Sequence, residues 1–298
     1  MTKIFLRSRA LTLVCALVVA CLPLITSTPS TVRAGDKISA EEVLAKHLES
    51  IGSAEARSSA NSRIAVGSSH LVFKVRNNVG TIDGRVVLGS IDRKVVYAMS
   101  FPAPNYPSEK FGFDGKKFTV GYLKPGVRST LESFILIHDI VFKEGLMGGT
   151  LSATWPLLNL ADRGAKVNFA GTSKVADRPA YKLEYLPKKS SDVTITLYFD
   201  TETFRHVRTQ YDRVVGARLS AGGIDNQTSE RATRYQMIED FSDYKLEGKL
   251  NLPHAYKLEL NIESSTGNSN HKWEMILGEF MFNQDLDEKG FDVETNAN

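Results

Sequence analysis

Between Arg178 and Tyr211 the chain alternates apolar and polar residues almost without a break, and this constrains its fold class more than any other feature. Tyr181, Leu183 and Tyr185 alternate with Lys182 and Glu184. Val193, Ile195, Leu197 and Phe199 alternate with Thr194, Thr196 and Tyr198, and Val207, Thr209 and Tyr211 with His206, Arg208 and Gln210. A period of two places successive side chains on opposite faces of a strand. Three such runs, separated by the polar segments 188–192 and 200–203, predict three neighbouring antiparallel strands with one dry and one wet face.

The same pattern extends on both sides. Arg63 to Arg76 carries Leu71, Phe73 and Val75; Thr81 to Ile91 carries Ile82, Val86 and Leu88; Arg93 to Phe101 carries Val95, Tyr97 and Met99. Asp114-Gly115, inside the run Phe111 to Phe118, is a hairpin signal, because both residues tolerate the positive φ of a tight turn. Lys166 to Ala170 reads as a short strand, and Ala217 to Ser229, with Gly222-Gly223, as a long exposed hairpin loop. Thr233 to Glu247 returns to strand, with Asp240, Ser242 and Asp243 marking a bulge or bend. Tyr256, Leu258, Leu260 and Ile262 alternate cleanly, and Trp273, Met275 and Leu277 close the sheet.

Two apolar segments break the period. Ser39 and Glu42 frame a capping box for a helix with Val43, Leu44, Leu48 and Ile51 on one side, and with His47 half-exposed at its edge. Midway, Leu131, Phe134, Ile135, Ile137, His138, Val141 and Phe142 follow helical spacing. Gly145, Leu146, Met147, Gly148 and Gly149 come next, and then Trp155-Pro156-Leu157-Leu158. This insert is either a plug that fills an open sheet or a movable lid over an apolar cavity; glycine-rich joints permit both.

The N-terminus reads as an export signal. Lys3, Arg7 and Arg9 precede the apolar run Ala10 to Ala20, and Val32-Arg33-Ala34 offers a small-residue exit. Cleavage after Ala34 is expected. The alternative is cleavage before Cys21, after Val18-Val19-Ala20, which would leave a lipid anchor. Both cysteines, Cys15 and Cys21, lie in residues 1–34, so the mature chain holds no disulfide, thiol nucleophile or Cys-ligated metal. Four of the 37 basic residues and none of the 34 acidic ones leave with this segment. What remains is nearly charge-balanced and without a basic run, which argues against nucleic acid as a partner. No Pro/Ser/Gly linker divides residues 35–283, so one domain is expected, followed by a flexible acidic tail over 284–298.

Nothing in the chain is built for bond-making chemistry. HExxH, GxSxG, P-loop and dinucleotide-binding signatures do not occur. His47, His70, His138, His206, His254 and His271 are scattered, without metal-ligand spacing. Asp200 and Glu202 read as turn carboxylates. Arg205, Arg208 and Arg213 read as the wet side of a sheet or as a rim for anionic headgroups. No catalytic residue, metal or cofactor is implied.

The fold class is therefore α+β, mainly β: a strongly curved antiparallel sheet forming an incomplete barrel, with the N-terminal helix and the central insert in its concave face. The inward set is rich in rings and thioethers, which suit a large core and an adaptable ligand pocket alike. Candidate cavity residues are Phe73, Tyr97, Met99, Phe134, Ile137, Leu146, Met147, Trp155, Leu183, Leu197, Phe199, Leu258, Trp273 and Met275.

The helix AEEVLAKHLESIGSAEA, the DGKKF hairpin, the helical interruption and the run RPAYKLEYLP…TLYFDTETFRHVR together resemble the periplasmic lipoprotein-carrier superfamily, the LolA-like and LolB-like proteins and their outer-membrane lipoprotein-sorting relatives. Tyr181-Lys182-Leu183 and Leu197-Tyr198-Phe199-Asp200 carry most of the likeness, with Asp243-Tyr244 and Leu252-Pro253 after them. The resemblance implies a half-barrel that holds the acyl chains of a lipid or lipoprotein, with an envelope donor or acceptor protein as partner and only transient membrane contact unless Cys21 is lipidated. A sensor or interaction domain on the same scaffold is the alternative.

Overall fold

The structure, a computed structural model, describes residues 38–216, 232–265 and 267–294. The export signal with its Cys21 alternative and the loop expected over 217–229 lie outside the described residues. Strand follows strand as the alternation predicts: β1 (Ser62–Val75), β2 (Asn78–Ile91), β3 (Lys94–Ser100), β4 (Ser108–Phe113), β5 (Phe118–Val120), β6 (Lys166–Val175), β7 (Arg178–Leu186), β8 (Thr194–Asp200), β9 (His206–Val215), β10 (Thr233–Glu247), β11 (Leu250–Ser264) and β12 (Gly267–Phe282).

All twelve form one antiparallel sheet in the order β5-β4-β3-β2-β1-β12-β11-β10-β9-β8-β7-β6. Every neighbour in this order is also a neighbour in sequence except β1 and β12, which pair at mid-sheet with Leu71 opposite Trp273. The free edges are thus β5 and β6, and the segment joining them is the insert. It comprises α3 (Thr130–Ile137), α4 (Ile140–Lys143), 3-10 turns at Gly149–Leu151 and Pro156–Asn159, and α5 (Leu160–Arg163).

The insert shows how far the sheet rolls. Phe142 packs on Phe111 of β4 and Phe118 of β5, with ring centroids 5.5 and 5.1 Å apart. Two residues later, Glu144 accepts a hydrogen bond from Tyr185 of β7 at 2.6 Å. On a flat sheet β5 and β7 would lie roughly 48 Å apart, at ten intervals of about 4.8 Å. One short segment can touch both only if the sheet curls around it.

The capping residues behave with one exchange. Ser39 caps α1 (Ala40–Ile51) by accepting from Glu42 N–H at 3.1 Å, but the Glu42 carboxylate turns to Lys46 at 2.6 Å instead of reaching back. The reciprocal box is found on α3, where Ser129 and Glu132 each accept from the other's backbone N–H. α2 (Ala54–Ser59) follows α1 after Gly52.

Three expectations are corrected. β6 is ten residues long, not five, because the bulge at Gly171 lets the ladder with β7 resume at Thr172. On β9 a register shift next to Phe199 turns His206 inward and Val207 outward, the reverse of the simple alternation. The tail from 284 is not featureless: Glu288–Phe291 is a 3-10 turn, Phe291 and Val293 are buried, and Val293 N–H donates to Thr119 Oγ1 at 3.1 Å. This tail packs on the outer face of β4 so closely that a Cβ on Gly112 would sit 2.1 Å from the Phe291 carbonyl oxygen. Among the described residues no helix is long and apolar enough to cross a membrane.

Candidate functional site

The concave face of the sheet and the insert that fills it form the candidate site. Twelve of the fourteen predicted cavity residues meet there in one buried cluster: Tyr97, Met99, Phe134, Leu146, Met147, Trp155, Leu183, Leu197, Phe199, Leu258, Trp273 and Met275. Phe73 packs against the cluster at its margin, partly exposed. Ile137 does not join it and is 67 % exposed. The physical reason is angular: α3 buries Leu131, Phe134 and Ile135 on one stripe, and residue 137 falls on the opposite side of the helix.

These residues contact one another because the insert occupies the space that an open half-barrel leaves. The open clefts lie at its margins. A polar groove of 870 Å³ runs along the strand ends by Lys74, Arg76, Arg213 and Arg234. A recess of 230 Å³ sits beside the start of α3, between Tyr106, Arg128 and Trp273.

Several polar contacts between insert and barrel engage the insert's backbone. Gly148 N–H donates to Glu239 at 2.8 Å, and Ala153 N–H to Ser90 Oγ at 2.8 Å. The buried Arg63 guanidinium donates to the Thr150 and Ser152 carbonyls at 2.7 and 3.3 Å, while its Nε and Nη2 have no partner among the described residues. Burial alone lowers its pKa to about 10, so it stays charged. Within the insert, Arg163 ties Glu144 and Thr154 together through their carbonyls.

Sequence reasoning missed the titratable groups at the centre. Glu239 is fully buried and accepts from Gly148 N–H, from Tyr211 OH at 2.7 Å and from Tyr256 OH at 2.6 Å. Burial pushes its carboxyl up to about 7 against the pull of these donors. The signal was present: Met237-x-Glu239-x-Phe241 puts an acid on the dry parity of a strand. His47, expected half-exposed, is fully buried; its Nδ1 bonds the Phe204 carbonyl at 3.0 Å and its Nε2 accepts from Trp155 Nε1–H at 3.1 Å. These two bonds fix Nδ1 as the protonated nitrogen. Desolvation holds its pKa down at about 4, and burial followed by the nearby His47 holds His206 well below its ordinary value. A second buried acid, Glu109, bonds Tyr106 and Ser129; desolvation first and Glu132 second raise it. Among the described residues no group of three His, Cys, Asp or Glu side chains could hold a metal ion.

No family model and no curated protein matches the chain. Among solved structures it is similar to a Vibrio parahaemolyticus domain of outer membrane lipoprotein-sorting type, at 13% identity and TM-score 0.40, covering 84% of this chain and 96% of that one. A DUF1329 family protein from Desulfovibrio piger matches at 9% identity and TM-score 0.37, with 85% and 96% covered. Pseudomonas aeruginosa MucB, in a complex of MucA and MucB, matches at 9% identity and TM-score 0.23, with 82% and 100% covered. The likeness is one of outline.

Proposed function

We propose that this chain is an exported, periplasmic carrier that holds the acyl chains of a lipid or lipoprotein on its concave face, and that the insert stands in for those chains when the carrier is empty. The observation that carries this reading is the insert itself. It joins the two free edges of an open sheet and packs Leu146, Met147 and Trp155 where an apolar ligand would lie.

Its joints suit movement. Gly145, Gly148, Gly149 and Gly164 all have positive φ, between 50° and 79°. Replacing protein–protein apolar contact with acyl contact costs little, since both sides are hydrocarbon. Withdrawal of the insert would also free the Arg63 guanidinium to meet an ester or carboxylate oxygen of the ligand. In this reading membrane contact is transient unless Cys21 carries a lipid.

The test is native mass spectrometry of the mature protein purified from a bacterial periplasm, followed by organic extraction. A mass excess that resolves into fatty acid or phospholipid is expected. A clean apo mass that persists after incubation with lipid vesicles contradicts the proposal. Phe199→Ala is expected to weaken lipid binding about tenfold, because it removes a large aromatic surface from the cavity wall, whereas Trp155→Ala loosens the insert that lipid displaces and is expected to strengthen binding.

A further inference from the structure

On its outer face the sheet parts locally. The β9–β10 ladder stops at Arg208 opposite Asp240, whereas the β10–β11 ladder continues to Glu247 opposite Leu250. From Phe241 to Glu247, β10 is therefore paired on one side only. Before His206 the chain bends away into the Asp200–Arg205 turn, whose Phe204 carbonyl is taken by His47. Asp243, at φ 54°, bends this edge, and beyond the bend Tyr244–Glu247 presents donors and acceptors at a spacing that another extended backbone matches.

The gap beside this edge is a cavity of 280 Å³ lined by Val175, Ala180, Val207, Phe241, Ser242 and Tyr244, among others. Val175, Ala180 and Tyr198, with Val207 packed on them, form an apolar cluster separate from the main core. An apolar floor on the wet side of a sheet contributes nothing to the barrel's interior.

The charges around the cavity are uneven in a useful way. Its acids are already paired: Asp200 with Arg178, Asp240 with Arg208 and Lys257, and Asp243 with Lys245. Arg205 lies over the Tyr244 ring at 5.2 Å and makes no ion pair among the described residues. On the same edge Leu246 is 72 % exposed.

We infer that this gap is a strand-addition site for an extended peptide of a protein partner. The peptide pairs with Tyr244–Glu247, seats a compact aliphatic side chain over Ala180 and Val207, and places a carboxylate on Arg205. Backbone pairing supplies affinity, and the cavity and the arginine supply selectivity for an aliphatic residue near an acid. The site is independent of the carrier reading, since neither Arg205 nor Val207 belongs to the concave core.

The experiment titrates an acetylated and amidated heptapeptide, Glu-Val-Thr-Val-Glu-Val-Thr, into the isotope-labelled protein. Expected are amide shifts confined to 205–207 and 241–247, with slower hydrogen exchange there. Arg205→Ala weakens binding about tenfold. Val207→Trp, which fills the cavity from outside, abolishes it, and both variants still bind lipid as the wild type does. The inference is overturned if about 1 mM peptide shifts no amide in 241–247, if the shifts appear instead along the β6 edge, or if both variants bind the peptide unchanged.

Discussion

The backbone N–H of Gly148 donates to the Glu239 carboxylate at 2.8 Å, which ties the middle of the insert to the middle of the sheet. Tyr211 and Tyr256 complete the shell around that carboxylate. A buried acid with three donors and no cation beside it among the described residues is an expensive anion, which is why burial lifts Glu239 to about 7.

That shift has a sign. An acid raised from 4.5 to about 7 binds more protons in the folded state, so its contribution to stability is complete below 4.5 and is lost as pH rises through 7. Glu109 acts in the same direction. His47, lowered from 6.5 to about 4, and His206 favour the folded state above 6.5 and lose that contribution as pH falls through 4. The slopes oppose one another between 4.5 and 6.5; above 6.5 the carboxyls act alone. Thermal denaturation is expected to show Tm falling from pH 6.5 to 8, at up to about 1.4 kcal/mol per group per pH unit. Glu239→Gln should flatten part of that slope; an unchanged slope would place the burden elsewhere.

Trp155 and His47 share the bond that holds the insert to α1, at 3.1 Å. Trp155→Phe keeps most of the ring but leaves His47 Nε2 buried without a donor. A loss of about 1–3 kcal/mol in urea unfolding is expected. The pKa of His47, read by NMR, should rise toward 6.5 if the insert loosens and admits water.

Gly145 tests the joint. It sits at φ 71°, and a Cβ there would lie 2.3 Å from the Thr154 carbonyl oxygen. Gly145→Ala is expected to destabilise the protein by at least about 2 kcal/mol, from left-handed strain plus the backbone clash. Gly171→Ala is the control: its φ is 97°, but beyond its chain neighbours no atom of the described residues lies within 4 Å of a Cβ there. It should cost only the conformational strain.

The tail is a clamp. Removing residues 288–298 uncovers the outer face of the sheet at Gly112 and Thr119 and takes away the buried Phe291 and Val293. Stability should drop by about 2–5 kcal/mol, and light scattering should show self-association through the uncovered face. A truncated chain that stays monomeric with an unchanged Tm would deny the tail this role.

The sheet was legible because alternation is a local signal: Tyr181, Leu183 and Tyr185 declare their face without outside help, and all three strands of that run fall where expected. His206 was not, because a bulge shifts parity by one residue and leaves no mark in composition. Phe291 and Val293 were hidden in an acidic segment whose average polarity masks two isolated anchors. For Phe134 and Ile137 the helical spacing was read correctly, but which stripe faces inward is decided by the sheet they meet. Met99, Trp155 and Met275 were legible as inward; whether inward means core or cavity is a property of the insert's position, which no residue type encodes.

The most direct test of the central claim uses the chain's two tryptophans. Trp273→Phe leaves Trp155, fully buried in the insert, as sole reporter. Acrylamide quenching of its fluorescence is measured before and after loading with a lysophospholipid. Displacement of the insert by acyl chains predicts that quenching rises as lipid binds. Lipid bound with Trp155 as shielded as before would show that the insert is a permanent part of the core and that the ligand sits elsewhere.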